Sequence, residues 1–249
     1  MKPVFSIITV TYNAEATIER TVQSVLKQDY PHIEYIIIDG KSDDNTMSIV
    51  ERYRHGIAKT VSEKDGGIYY AMNKGLALAT GDYLWFLNAG DTIYSENAVS
   101  QIVSALERQN LPDVIYGETA IVDISGKFLY MRRLKSPDKL TWKNFKTGMM
   151  VCHQSFIVKR TVAPEYDLRY KYSSDYDWCI RCLKCAAKIY NSRLILTNYL
   201  NVGETSRNMK KSLKERFLIM CNYYGCISVC LRHLFFAVRF IAARIKRKI

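Results

Sequence analysis

No glycine-rich phosphate cradle is present. GxGxxG does not follow the first strand-like run, and GxxxxGK[ST] occurs nowhere in the 249 residues. Both the dinucleotide fingerprint and the P-loop are therefore left out. Prolines number only five, and no Pro/Gly/Ser-rich linker parts the chain into halves. The seven cysteines are odd in number and lack paired spacing, which excludes a disulfide framework and points to a reducing compartment. Cys179, Cys182 and Cys185 fall at i, i+3 and i+6 of a helical pattern without a fourth soft ligand nearby, so they read as structural thiols. The uncharged run Phe217 to Leu231 is fifteen residues long and contains Asn222, Gly225 and Ser228, short of the roughly 20 a spanning helix needs. Met1-Lys2-Pro3 leads straight into a strand pattern with no signal-peptide layout. The expectation is a cytoplasmic protein.

What is there begins with charge. The net charge is +12, but from Thr205 onward eleven Lys/Arg stand against the single acid Glu215, leaving 25 basic and 23 acidic residues before it. The excess belongs to a tail and not to the domain, which argues against a nucleic-acid partner. Hydrophobic content of 48% is ordinary for a globular protein with a sizeable core.

Four apolar, β-rich runs alternate with helical patterns: Val4–Val10, Ile33–Ile38, about Ala58–Val61 and Asp82–Leu87 as strands, with helices over Ala14 to Lys27, after Thr46, and Ile68–Ala79 between them. This β-α-β-α-β-α-β order predicts a doubly wound, mostly parallel α/β sheet. The strands run into Thr11-Tyr12-Asn13, Asp39, Lys64-Asp65 and, through GDYLWFLNAGD, Asp91. All of these belong on one rim, where open α/β sheets bind ligands. An acid at such a strand end can hold a metal and, through it, a phosphate, or it can close a turn. In the second half, Asp113–Tyr116, Glu118–Asp123 and Lys127–Met131 read as short strands separated by Gly117 and Ser125-Gly126. Cys152–Val158 reads as another strand carrying His153-Gln154. Ser173 or Ser174 caps a helix whose first turn holds Asp175 and Asp177, acids suited to its positive end.

Taken together, SIITVTYNAEATI, YIIIDGKSDDNT, SEKDGGIYYAMNKGLALATGDYLWFLNAGD, CHQSF and SSDYDWCIR resemble the family 2 glycosyltransferases over residues 4 to 190, closest to members that build bacterial surface polysaccharides. The resemblance implies a GT-A fold and inverting transfer of a sugar from a nucleotide-sugar, a UDP-sugar by preference. By position, Thr11 and Tyr12 would line the base and ribose pocket and Asp39 would take the base edge. Ser42 would shape that pocket, and Lys64, Asp65 and Asn73 would contact the nucleotide. Asp175 would be the catalytic base. His153 and Trp178 would approach the acceptor. Asp91 matches the last acid of the metal motif, but Asn88 and Gly90 stand where carboxylates are common. Two options stay open: Mn2+ or Mg2+ held by Asp91, donor phosphates and water, or Lys/Arg neutralising the diphosphate.

The implied organisation is a catalytic domain over residues 1–204, with a nucleotide half to 91 and an acceptor half beyond, then a basic tail over 205–249. In that tail Leu234, Phe235, Val238, Ile241, Ile245 and Ile249 form an apolar stripe beside Arg232, Arg239 and Lys246. This is the pattern of a helix lying on an anionic membrane, at the inner face of the cell membrane for a cytoplasmic enzyme with a lipid-linked acceptor. The alternative occupant of the stripe is a protein surface. A sugar nucleotidyltransferase would require a Gly/Arg-rich phosphate loop that Thr11 to Glu19 does not supply. The remaining alternative is a catalytically degenerate binder of nucleotide-sugar or of a membrane partner, for which the depleted acidic motif is the best support.

Overall fold

The computed structural model describes residues 2–106, 111–201 and 208–234. The chain divides into two compact units, Met1–Gly203 and Glu204–Ile249.

In the first unit, β1 (Phe5–Thr11), β2 (Ile33–Asp39), β3 (Lys59–Ser62) and β4 (Tyr83–Phe86) lie parallel in the order β3-β2-β1-β4. Each lies within one residue of the expected bounds. Their continuous apolar runs reflect burial on both faces: every residue of β1 and β4 is buried. Helices α1 (Ile18–Leu26), α2 (Thr46–Glu51) and α3 (Ile68–Leu78) connect them. Residues 14–17 form a turn ahead of α1, with the Thr17 N–H donating to the Ala14 carbonyl. Gly75 lets α3 close on β1, since a Cβ there would lie 2.4 Å from Ile8 Cγ2.

The second half extends the same sheet. After β5 (Thr92–Ile93) and α4 (Ala98–Leu106) come β6 (Val114–Val122), β7 (Phe128–Met131), β8 (Phe156–Lys159), α5 (Ser174–Cys185) and β9 (Ile189–Leu200). The path continues β4-β8-β6-β9-β5, with β7 hanging off β6. The antiparallel β8 sits between β4 and β6, while β6 and β9 run parallel.

Two expectations are corrected here. Gly117 does not separate two strands but lies inside β6, where the register against β9 shifts; a Cβ would lie 2.5 Å from the Leu194 carbonyl oxygen. His153-Gln154 is not on a strand but in a 3-10 turn, His153–Ser155, that feeds β8. β9 and α4 are additional to the elements expected from the sequence.

In the second unit, α6 covers Met209–Tyr224. Among the described residues no helix is long and apolar enough to cross a membrane. Most of the amphipathic stripe expected over 232–249 lies outside the described residues.

Candidate active site

The rim is built by the carboxyl ends of β1, β2 and β4 and by the loop after β3. Thr11 ends β1; its Oγ1 is buried and has no hydrogen-bond partner. Tyr12 follows, 61% exposed. Asn13 has a φ of 47°, a left-handed geometry that Asn tolerates, and it binds the neighbouring loop: its N–H donates to Ser42 Oγ at 2.8 Å and its Oδ1 accepts from Asp43 N–H at 2.9 Å.

Asp39 ends β2 fully buried. Its carboxylate accepts from Ser42 N–H at 3.0 Å, Ser42 Oγ at 2.5 Å and Ser62 Oγ at 2.6 Å. It therefore frames the rim from beneath and organises residues 40–43, with about one of its four lone-pair positions left over. Gly40 lies between Tyr12 and Asp65: a Cβ there would sit 3.3 Å from Tyr12 Cδ2 and 3.4 Å from Asp65 Oδ2. Tyr12, Asp39, Ser42 and Asp65 thus come together as expected. Asp65 is half-buried and Lys64 exposed. Asp65 Oδ1 accepts from Gly67 N–H at 2.8 Å at the entrance to α3.

Asn73 is placed differently. Its amide donates to the Tyr166 carbonyl at 3.0 Å and its oxygen accepts from Tyr166 N–H at 2.7 Å. Both polar ends are committed to clipping α3 onto the segment before α5.

Asp91 follows the turn after β4. Instead of standing open at the rim it is 4% exposed, and its Oδ1 accepts from Leu200 N–H on β9 at 2.8 Å. Burial pushes its pKa up to about 7, against the lowering influence of the Leu200 N–H, the Arg20 charge and the Gln154 amide. Arg20 grips the same turn, its Nε donating to the Gly90 carbonyl at 2.8 Å. Beside Asp91, the Oδ1 of Asn88 is buried and unpartnered. Among the described residues no group of three or more His, Cys, Asp or Glu converges as a metal centre.

Asp175 sits in the first turn of α5, half-buried. Its Oδ1 accepts from Tyr69 Oη at 3.0 Å and from Tyr176 N–H at 2.9 Å. Tyr69 is the second residue of α3, so this bond brings the second half of the domain onto the helix that follows Lys64 and Asp65. Beneath it three rings stack: Tyr69 on Tyr166 at 5.7 Å and 22°, Tyr166 on Trp178 at 4.9 Å and 10°. Asp175 and Trp178 are three apart on one helix face, so the stack sets the position of Asp175.

The two residues expected to approach an acceptor belong to this packing. Trp178 is fully buried and its Nε1 donates to the Pro164 carbonyl at 2.7 Å. His153 is 3% exposed, with Nε2 hydrogen-bonded to Tyr166 Oη at 2.7 Å. Burial lowers its pKa to about 4, with Asp175 opposing. The ring is neutral near pH 7. Tyr69, Tyr166 and Arg20, which assemble the site, have no assignment from the sequence; for the two tyrosines the only signal is a polar tip on an otherwise core-facing ring.

The arrangement offers a rim with two buried, unpartnered oxygens, Thr11 Oγ1 and Asn88 Oδ1, and one half-open carboxylate held by a phenol. The sequence profile of Glycosyl transferase family 2 matches residues 6–166. A Mycobacterium tuberculosis protein described as uncharacterized glycosyltransferase Rv1514c is 34% identical over 184 residues, 72% of this chain and 68% of its own length. The Escherichia coli UDP-Glc:alpha-D-GlcNAc-diphosphoundecaprenol beta-1,3-glucosyltransferase WfgD is 27% identical over 248 residues, 97% of this chain and 94% of its own. The fold matches the crystal structure of Staphylococcus aureus TarS residues 1–349 with UDP at a TM-score of 0.68 and 20% identity, over 88% of this chain and 64% of that one. The GT-A-like sheet, the rim and these relatives agree, and the chain belongs to glycosyltransferase family 2.

Proposed function

We propose that this enzyme moves a sugar, with inversion, from a UDP-sugar to a hydroxyl of a saccharide or lipid-linked acceptor in surface polysaccharide synthesis, working at the inner face of the cell membrane. The observation that carries the reading is the Tyr69–Asp175 hydrogen bond. It sets a half-open carboxylate from the acceptor half against the helix that leaves the nucleotide loop. An inverting transfer needs one such base to take the acceptor proton as the hydroxyl attacks the anomeric carbon. The donor and acceptor classes draw support from the name of WfgD, which specifies UDP-Glc and a diphosphoundecaprenol-linked sugar.

In this reading Tyr12 covers the base and ribose, and Thr11 Oγ1 gains a partner from the donor. Asp39 gives its remaining lone pair to the base edge once residues 40–43 yield. Ser42 and Asp65 hold the loop in shape, and Lys64 meets the diphosphate. The residues at the β4 turn fit a weakly held divalent ion: one carboxylate, Asp91, and one free amide oxygen, Asn88. When bound, such an ion neutralises charge on the leaving diphosphate.

The test is a pair of measurements on Asp175→Asn. Calorimetric titration with UDP should match the wild type, while transfer from UDP-sugar should fall by about 10²- to 10⁴-fold. Wild-type turnover in the variant would remove the base assignment. Titrating UDP and GDP with Mn2+ and again with chelator decides the base and the ion.

A further inference from the structure

The hairpin of β6 and β7 has no part in the chemistry, yet its surface is unusual. Phe128, Leu129, Tyr130 and Met131 are 54%, 41%, 50% and 37% exposed, and Ile124 at the turn is 57% exposed. Side chains alternate across a strand, so a strand lying on a domain hides every second one. In β7 both faces are wet and both are apolar. Among the described residues its one ladder is to β6. No charge interrupts the four residues, whereas exposed edge strands are normally blunted by one.

Two occupants suit such an edge: a second copy of the chain, or the boundary between water and lipid. Antiparallel self-pairing centred on β7 would set Phe128 opposite Met131 and Lys127 opposite Arg132, twice juxtaposing like charges. Exposed Lys127, Arg133 and Lys135 flank the apolar residues; they repel another copy and suit an anionic headgroup layer. Of the two acids in the hairpin, Glu118 on β6 accepts from Ser136 N–H at 3.0 Å, and Asp123 closes the turn, its Oδ1 accepting from Ser125 N–H, Ser125 Oγ and Lys127 N–H. An aromatic and aliphatic ribbon edged by cations is the composition of an interfacial element.

We propose that this hairpin is the face with which the transferase domain contacts an anionic lipid surface. Ile124, Phe128, Leu129 and Met131 enter the headgroup–acyl boundary and Tyr130 stays at headgroup level. The surface belongs to the first unit and does not depend on which donor or acceptor is used. Arg20 ties it to the site. Its Nη1 donates to the carbonyls of Asp123 and Ile124 at 3.3 and 3.0 Å, while its Nε holds Gly90 beside Asp91. A docked hairpin and the β4 turn share one side chain.

The experiment is vesicle co-sedimentation of the full chain with phosphatidylglycerol–phosphatidylcholine vesicles and with phosphatidylcholine alone. Wild type is compared with Phe128→Ser/Leu129→Ser, whose side chains are exposed and whose melting temperature and UDP affinity should not change. The C-terminal cations are the same in both proteins and cancel. Partitioning onto anionic vesicles should weaken about tenfold or more, and Lys127→Glu should weaken it with a shallower salt dependence. In Tyr130→Trp, emission above the wild-type background should shift blue and be quenched by brominated lipid. Unchanged partitioning, or an introduced tryptophan that brominated lipid does not quench, overturns the proposal. Loss of a dimer in the double-serine variant with vesicle binding intact overturns it in favour of a second copy.

Discussion

Glu34→Gln should weaken the fold by about 2–3 kcal/mol while leaving the chemistry alone. Glu34 is the second residue of β2, at the end of the sheet opposite the site rim. Its Oε1 accepts from Lys59 Nζ and Thr80 Oγ1, both at 2.8 Å, and its Oε2 from Ser6 Oγ at 2.6 Å, Thr80 N–H at 2.8 Å and Gly81 N–H at 3.3 Å. One carboxylate thereby joins β1, β2, β3 and the approach to β4. Burial alone would raise its pKa, but the hydrogen bonds from Lys59, Ser6 and Thr80 outweigh it and hold the group at about 2, against an ordinary 4.5. At 1.36 kcal/mol per pH unit that difference is about 3 kcal/mol, and the partial exposure of Lys59 trims it. Gln keeps the shape but turns an NH2 toward donors. At pH 7 the variant should melt about 5–10 °C lower by scanning calorimetry. The sign follows from the lowered folded pKa: the stabilisation is fully present above about 4.5 and is lost as pH falls towards 2. The gap between the proteins should therefore close on acidification. Equal melting temperatures at pH 7, or a gap that stays constant into acid, would refute the reasoning. Transfer measured well below either melting temperature should be unchanged.

Three further outcomes follow from the site and its supports. Tyr69→Phe removes the phenol that holds Asp175, so turnover should fall about tenfold, the worth of one hydrogen bond to a charged group, with UDP affinity by calorimetry unchanged. Asp91→Asn keeps an oxygen for the Leu200 N–H and so should fold, but its UDP titration should no longer respond to Mn2+ or to chelator. Gly75→Ala forces a methyl against Ile8 and should cost about 1–3 kcal/mol in a urea denaturation series, with the residual folded protein still active.

The parallel half of the sheet was readable because burial on both faces leaves one unambiguous mark, a continuous β-branched and aromatic run such as FSIITVT or IEYIIID. β9 carries no such mark. Its twelve residues are mostly half-buried and mix Asn, Ser, Arg and Thr with Leu and Ile, because it runs between β6 and the two-residue β5. Positions on the rim were also readable, since a polar residue straight after a buried strand has nowhere else to be. Orientation was not. Asp91 and Asn73 differ from open ligands only through partners 109 and 93 residues away, Leu200 and Tyr166. Trp178 and His153 look like acceptor contacts in a line of letters and like core only when their rings pack on each other and on Tyr166.

The acids of the first unit separate by what already binds them. Asp39 is fully buried and takes three donors, and Asp91 is nearly buried and takes a backbone N–H. Groups so committed can hold loops and lend charge, but they cannot accept a proton from a substrate without breaking the frame. Asp177 is spent on Arg181 at 2.6 Å, and His153 is neutral and enclosed. Asp175 combines a half-open carboxylate, a place on a rigid helix turn and a neutral donor, Tyr69, that fixes it without cancelling its charge. A base must be held firmly and yet keep a lone pair free for the incoming hydroxyl. The stacked rings beneath meet the first demand and the open side of Asp175 meets the second.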